Sequence, residues 1–468
     1  MQTSTPIIDL HVHSTLKPYG NSFYPNNDPA FFTNSSSLWF FDYRNRGDLK
    51  IEGLLGICRY RQSDFTSMTN GQIKIACVSL YPVEKEFFDI KRRNLKPFDA
   101  IIGEFASMFG KNRVAGIMDP KFNYFADLCQ EYHFLAQFDG KETNARTYKM
   151  LPDAAQLEMK TNLLIIPSFE GCHSFCEGNN PEAPEGWKNM KVNVKTVKDW
   201  PSPPLFVTFA HHFYNGLCTH ARSLFEMSGK LLDQKRGMRD TGIIPSDGLP
   251  PISERGWALI GLLLSKDNGR RILIDVKHMS LEARKEYYDF LKQQKDNIPV
   301  VYSHGALADD EDKYEINLHV EDLDMIYKTE GIIGLEMDQR ILGYNKHRLG
   351  KTIKRRIKPE TQYYDDAAYF WRQIKVIAEY AYVTGHKEDP WKCIALGSDY
   401  DGIINPLNAY PDANWLAVLY QQLIVHLTQY WQQPGAVIPQ PKTQDASDIV
   451  YQIMYKNAYD FIVKHYAV

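Results

Sequence analysis

Two hydrophobic rhythms alternate along the chain. Short, nearly unbroken runs of β-branched and aliphatic residues occupy 6–11, 73–80, 162–169, 204–210, 271–277, 298–303, 331–336 and 392–398. Runs that are apolar at both odd and even positions suit strands covered on both faces, the condition of a parallel sheet. Between most of them lie stretches with apolar residues three and four apart, the mark of amphipathic helices. The clearest are DPKFNYFADLCQEYHFLAQF, SERGWALIGLLLSKDN, SLEARKEYYDFLKQQ and TQYYDDAAYFWRQIKVIAEYAYV. Ser253 and Ser280 stand where N-caps belong, with Glu254 and Glu282 in the first helical turns. Strand, helix, strand alternation through the whole length predicts an α/β protein, specifically a (β/α)8 TIM barrel with long loop insertions.

The spacing between strands is uneven. About sixty residues separate the first two, in a stretch rich in Asn, Ser, Phe and Tyr (GNSFYPNNDPAFFTNSSSLWFFDY); a loop of that length is usually functional, and its aromatic content suits a lid or a substrate wall. The expectation is one elaborated barrel over residues 1–468, with insertions at about 14–70 and 176–203 and a terminal helix at about 445–466.

Composition narrows the class. With 44% apolar and 24% charged residues the chain reads as an ordinary globular protein, and a net charge of −3 offers no surface for polyanions, which argues against a nucleic-acid partner. The basic run KTIKRRIK, residues 351–358, reads as a solvated loop or helix face. Seven scattered cysteines do not form a disulfide framework and point to a reducing, cytoplasmic setting. No secretory segment is read before Ile7, and the ALIGLLL stretch is too short to cross a bilayer, so no membrane partner is expected.

The chemistry sits where the apolar runs stop. PIIDLHVH ends on His11 and His13, LLIIPSFE on Glu170, FVTFAHH on His211 or His212, ILIDVKH on His278, PVVYSH on His304 and CIALGSD on Asp399. A barrel gathers such strand ends at one rim, where its active site is built. Residues two apart in a strand share a face, so His11 and His13 can bind one cation. His278 and His304, at successive strand ends, suit a second that shares Glu170. Imidazole and carboxylate together suit Zn²⁺, with Mn, Fe or Co as alternatives, and two such ions could hold a hydroxide that attacks a carbonyl. Asp399 directly ends its run and is preferred over Asp401 as the proton carrier, since Asp401-Gly402 reads as a turn. His211 or His212 could donate to an oxyanion.

Taken in order, SFEGCHSF, ISERGWALIGLLL followed by ILIDVKHMS, PVVYSHGA, ALGSDYDGI and a tail, YKNAYDF, resemble the signature segments of the membrane (renal) dipeptidase family of the amidohydrolase superfamily. The resemblance covers most of the chain, loosely in the insertions. It implies a binuclear zinc barrel with His11, His13 and Glu170 on one ion and Glu170, His278 and His304 on the other. It also implies Asp399 as the water-activating acid, His211 as the group that steadies the tetrahedral intermediate, and a small-molecule amide or dipeptide substrate. Two departures stand out. His13 replaces the family's usual Asp, and Ile316 holds the position of the arginine that takes a dipeptide's terminal carboxylate. Arg340 and Tyr81 are the substrate-binding candidates that remain, and a homodimer is a candidate assembly. The rivals are a PHP-type phosphoesterase, suggested by DLHVHS but lacking the expected Asp-His pair in CVSLYPVE, and a catalytically inactive metal-binding barrel.

Overall fold

The computed structural model describes residues 5–23, 35–42, 44, 58–88, 109–143, 145–221, 248–267, 269–308, 316–343 and 359–467. Nine strands occur among them: β1 (Ile7–Val12), β2 (Ile73–Leu80), β3 (Tyr148–Met150), β4 (Leu163–Glu170), β5 (Phe206–Thr208), β6 (Leu273–Asp275), β7 (Val301–Tyr302), β8 (Ile332–Leu335) and β9 (Ile394–Leu396). The order β2-β1-β9-β8-β7-β6-β5-β4, closed by β2 against β4, makes a parallel eight-stranded barrel, with β3 an extra strand along the start of β4. All eight apolar runs read from the sequence became barrel strands. β3 was not anticipated, because three residues are too few to show a period.

Closure rests on β4, which pairs with β2 from Ile75↔Leu164 to Leu80↔Phe169 and with β5 at Phe169↔Val207 and Glu170↔Thr208. Every residue of β4 is buried, as its unbroken apolar run requires. Five strands, β5 to β9, are shorter than their runs, and two of them start behind prolines. β5 begins after Pro203 and Pro204, and β7 after Pro299; a proline has no N–H to give a ladder.

The helices that clothe the barrel start where the sequence places them. Ser253 Oγ accepts from Gly256 N (3.0 Å) at the head of Glu254–Leu264, and Ser280 Oγ accepts from Ala283 N (3.1 Å) at the head of Leu281–Lys292. Neighbouring helices are also locked through fully buried ions. Arg284 grips Asp322 of the Val320–Thr329 helix at 2.9 and 3.0 Å, while Tyr288 donates to the same carboxylate at 2.7 Å. At the barrel base Asn457 Nδ2 donates to the carbonyls of Trp391 and Ile394, both at 2.8 Å, tying the last helix (Asn457–His465) to the foot of β9. Residues 24–34, 43 and 45–57 of the first insertion lie outside the described residues, as does the basic run at 351–358.

One side of the barrel is drawn tight by glycine. A Cβ on Gly334 of β8 would meet the Ser303 carbonyl oxygen at 1.8 Å, and one on Gly397, just past β9, would meet the same oxygen at 1.9 Å. The absence of both side chains lets β7, β8 and β9 converge and brings His304 close to the ends of β8 and β9. Gly334→Ala should therefore destabilise the protein by about 3 kcal/mol or prevent folding, since the obstacle is backbone. Gly435→Ala, which meets nothing within 4 Å, should change stability by no more than about 0.5 kcal/mol in the same denaturant titration.

Candidate metal centre

β1 alternates its side chains, so Asp9, His11 and His13 line up toward the interior, each no more than 1% exposed. The β1/β9 register continues past the regular strands: Asp399 N donates to the His11 carbonyl (2.9 Å) and His13 N to the Tyr400 carbonyl (2.8 Å). This clamps Asp399 beside the two histidines, with Oδ1 3.7 Å from His11 Nε2 and 3.4 Å from His13 Nε2. The two Nε2 atoms are 3.1 Å apart.

Glu170, at the end of β4, is the hub. Its Oε1 faces Nε2 of His278 at 3.3 Å, of His304 at 3.5 Å and of His11 at 3.9 Å. Its Oε2 faces Nε2 of His13 at 3.1 Å and of His211 at 3.2 Å. Five imidazoles from four strand ends thus meet on one carboxylate. Two of the supporting positions are strained, because His278 (φ 67°) and Asp399 (φ 59°) sit in the left-handed region without being glycine. Such backbone persists where surrounding structure enforces it, and it gathers at functional sites.

Electrostatics divides the histidines into two sets. Burial pushes His11 and His304 well below the usual imidazole range and His278 down to about 3, leaving all three neutral. For His13, burial is outweighed by hydrogen bonds to Asp399 and Glu170, and for His211 by the charges of Glu170 and Glu84; both are lifted to about 10. Glu170, despite burial, is held well below the ordinary carboxyl range by His211 and its other histidine neighbours. Oε1 of Glu170 is buried and accepts no hydrogen bond from the protein. Three neutral imidazoles that turn Nε2 toward an unsatisfied, ionised carboxylate oxygen make an arrangement that a cation would relieve. The donor atoms of His11, Glu170 and His304, of His11, His13 and Asp399, and of Glu170, His211 and His278 lie within 4.8 Å of one another in each group, so the residues present fit a divalent metal.

Orienting groups stand behind the cluster. Asp275 Oδ2 accepts from Thr208 Oγ1 and Ser303 Oγ, both at 2.6 Å, and Ser303 Oγ lies 2.8 Å from His304 Nδ1. With the Ser303 hydroxyl proton committed to Asp275, its oxygen takes Nδ1–H of His304 and leaves Nε2 as a free lone pair toward Glu170. His211 is held through Nδ1, 2.8 Å from Glu84 Oε1. Although burial opposes ionisation, His211 and His173 hold Glu84 down at about 2.

The structure brings His11, His13, Glu170, His211, His278, His304 and Asp399 together. The sequence left two pairs of alternatives, and geometry separates both. His211 Nε2 lies 3.2 Å from Glu170 Oε2, whereas half-buried His212 packs among rings, its centroid 3.8 Å from that of His211 and 5.3 Å from those of His278 and Phe87. Asp401 lies in a different environment from Asp399. It accepts from Lys17 Nζ (2.8 Å), Ser63 Oγ (2.8 Å) and the amides of Gln62 and Ser63 (3.1 and 2.8 Å), and is spent on holding loops together. The Tyr81 ring lies 4.7 Å from His211 and 5.9 Å from His13, and its hydroxyl donates to Glu84. Arg340 is bound to Asp338, its Nε 3.0 Å from both carboxylate oxygens. Ile316 is buried, its carbonyl accepting from Tyr302 OH at 2.7 Å.

Sequence reasoning missed Glu84, Glu336 and Lys277. Glu84 stands four residues beyond β2, outside any strand pattern. Lys277 and Glu336 were legible as charged residues ending apolar runs, the same signal that marks Glu170. Glu336 joins His304 and Asp399 in a further group of donors within 4.8 Å of one another.

No family model matches the chain, and no curated protein matches it. Solved structures do. A metallopeptidase described as dipeptidase AC of peptidase family M19 is similar with a TM-score of 0.51 at 13% identity, over 99% of this chain and 100% of that one. A metallopeptidase from Rhodobacter sphaeroides, liganded with a phosphinate mimic of the dipeptide L-Ala-D-Ala, is similar with a TM-score of 0.52 at 13% identity, over 99% of each chain. At that identity the likeness is one of fold.

The separation of Asp399 from Asp401 has a direct consequence for stability. Asp401→Asn leaves the 2% exposed Lys17 without its counter-ion and should cost about 3 kcal/mol in denaturant unfolding. Asp399→Asn, measured alongside, should cost far less.

Proposed function

We propose that this chain is a metal-dependent hydrolase of amide bonds, dipeptidase-like in its chemistry and altered in its substrate pocket. The observation that carries the reading is the convergence of five imidazoles and Asp399 around the buried Glu170 at the C-terminal rim of the barrel. The like-folded metallopeptidase liganded with a dipeptide mimic supports an amide substrate.

His11, His13 and Glu170 would hold one divalent ion, and Glu170, His278 and His304 a second, with Zn²⁺ suited to this imidazole-rich set. Bound there, such ions polarise a carbonyl and acidify water enough for attack at neutral pH. The chain's own groups do the rest. Asp399 is the most exposed member of the cluster at 8%, against 0–4% for the others, so it can pass a proton between the site and solvent. Burial raises its carboxyl above the ordinary range while His13 pulls it down, which suits a group that accepts a proton from water and returns it to the departing amine. His211, fixed by Glu84 and lifted to about 10, is a protonated donor aimed at the centre and stabilises the oxyanion of the tetrahedral intermediate.

Specificity departs from a free dipeptide. Ile316 cannot supply the two-pronged contact that a guanidinium makes to a carboxylate, and the Arg340 fork is already filled by Asp338. Substrates whose far end is neutral, such as blocked peptides or acylated amines, suit this pocket better than dipeptides with a free terminal carboxylate. A cytoplasmic setting fits seven cysteines that are all free thiols. No helix among the described residues is long and apolar enough to cross a membrane.

Glu170→Gln should lower metal content, read by elemental analysis, by at least about tenfold in affinity and abolish turnover with it. Full metal and full turnover in that variant would end the shared-ligand reading. Asp399→Asn should keep the metal and lose about 10²–10⁴ in kcat, assayed on a panel of dipeptides, blocked peptides, acylated amines, N-acyl amino acids, lactones and phosphate esters. Hydrolysis of phosphate esters alone would refute the amide assignment.

A further inference from the structure

β2 stops at Leu80 and β5 at Thr208, so the segments that follow them, 81–88 and 209–217, lie on the face where a barrel receives its substrate. In the first, a short turn at Lys85–Phe87 is held by Phe87 N on the Glu84 carbonyl (3.1 Å) and by Lys85 N on Tyr124 OH (3.0 Å). In the second, buried Asn215 folds the chain back, its Nδ2 donating to the Phe209 carbonyl (2.9 Å) and its Oδ1 accepting from Leu217 N (3.0 Å). The two segments meet through aromatic rings. Phe87 stands edge-to-face against His212, with centroids 5.3 Å apart at 89°, and against Phe213, at 5.1 Å and 88°. The His212 ring in turn lies 5.3 Å from that of His278.

Exposure changes along this row. His211 and His278 are buried, whereas Phe87, His212 and Phe213 are each only half-buried. A partly open aromatic row that starts at the buried cluster is the kind of surface a pocket offers to an apolar group. The charged residues of the two segments are engaged elsewhere. Lys85 Nζ reaches Asn179 Oδ1 at 3.4 Å, Glu84 accepts from Tyr81 OH and lies against His211 Nδ1, and Glu86 is buried.

We propose that Phe87, His212 and Phe213 form the specificity wall of this site, and that the group they select, flanking the scissile amide, is aromatic and uncharged. This rests on the hydrolase reading above and narrows its substrate class to amides that carry a phenyl-like ring. An aromatic ring has a negative face and a positive edge, so a further ring packs well against a T-shaped pair, and its burial takes apolar area on both sides out of water. A charged group in that place would lose hydration with no counter-ion from either segment.

The test is a selectivity ratio. Metal-loaded wild type, Phe87→Ala and Phe213→Ala are assayed for release of the amine product from N-acetyl-alaninamide, N-phenylacetyl-alaninamide and N-acetyl-phenylalaninamide; the last two put a ring on the acyl or the amine side of the first. Wild type should favour one of the ring-bearing substrates over N-acetyl-alaninamide by about 10–100-fold in kcat/KM. Phe87→Ala should bring that ratio to about one, and Phe213→Ala should lower it by at least about threefold. The ratio is internal to each variant, so a general loss of folded or metal-loaded protein cancels from it. A wild-type ratio near one for both ring-bearing substrates overturns the inference, as does an unchanged ratio in either folded variant; if one variant fails to fold, the other decides. Wild type that hydrolyses no amide overturns the hydrolase reading and this inference together. Amide hydrolysis without preference for a ring overturns this one alone.

Discussion

A carboxylate closed inside a protein must be matched by positive charge or by donors, and around Glu170 the match is left to imidazoles. Burial keeps three of them neutral while Oε1 accepts no hydrogen bond from the protein. The same geometry that would be costly in an inert core is what a cation needs. Neutral His11, His278 and His304 have their lone pairs available, and Glu170, held ionised, can be shared between two neighbours. The two histidines that are lifted, His13 and His211, each face two carboxylates.

Closure of the barrel makes this possible. Each strand delivers one or two side chains to the rim, but only the β2/β4 seam and the tight β7/β8/β9 packing put those rims at hydrogen-bond range. Local strain accompanies the result at His278 and Asp399, whose left-handed backbone turns each side chain sharply at the end of its strand. Supporting hydrogen bonds then fix orientation, from Asp275 through Ser303 to His304 and from Glu84 to His211.

The charge pattern differs from that implied by the dipeptidase resemblance in a consistent direction. His13 stands where the resemblance implies an acid, and Ile316 where it implies a base. On the proposed reading these changes would put more positive charge among the metal ligands and less where a substrate's carboxylate would bind, with Glu170, Asp399 and His211 at the positions the resemblance implies.

Much of this was open to reading from the chain alone. The eight barrel strands announced themselves because a strand buried on both faces must be apolar at every position, and the N-caps at Ser253 and Ser280 because four orphan amides demand a nearby acceptor. His11, His13, Glu170, His278, His304 and Asp399 were visible as polar residues ending apolar runs. What one dimension could not show is which of two adjacent groups faces the centre. Asp399 and Asp401, like His211 and His212, are indistinguishable by composition, and only the backbone turn and the partners waiting on each side separate them. Nor could it place Glu84, which lies past the end of its strand, or pair Lys277 with Glu336 across fifty-nine residues. Periodicity is a local property of the backbone and is written in order along the chain, whereas charge compensation depends on distance in space, which exists only once the barrel has closed.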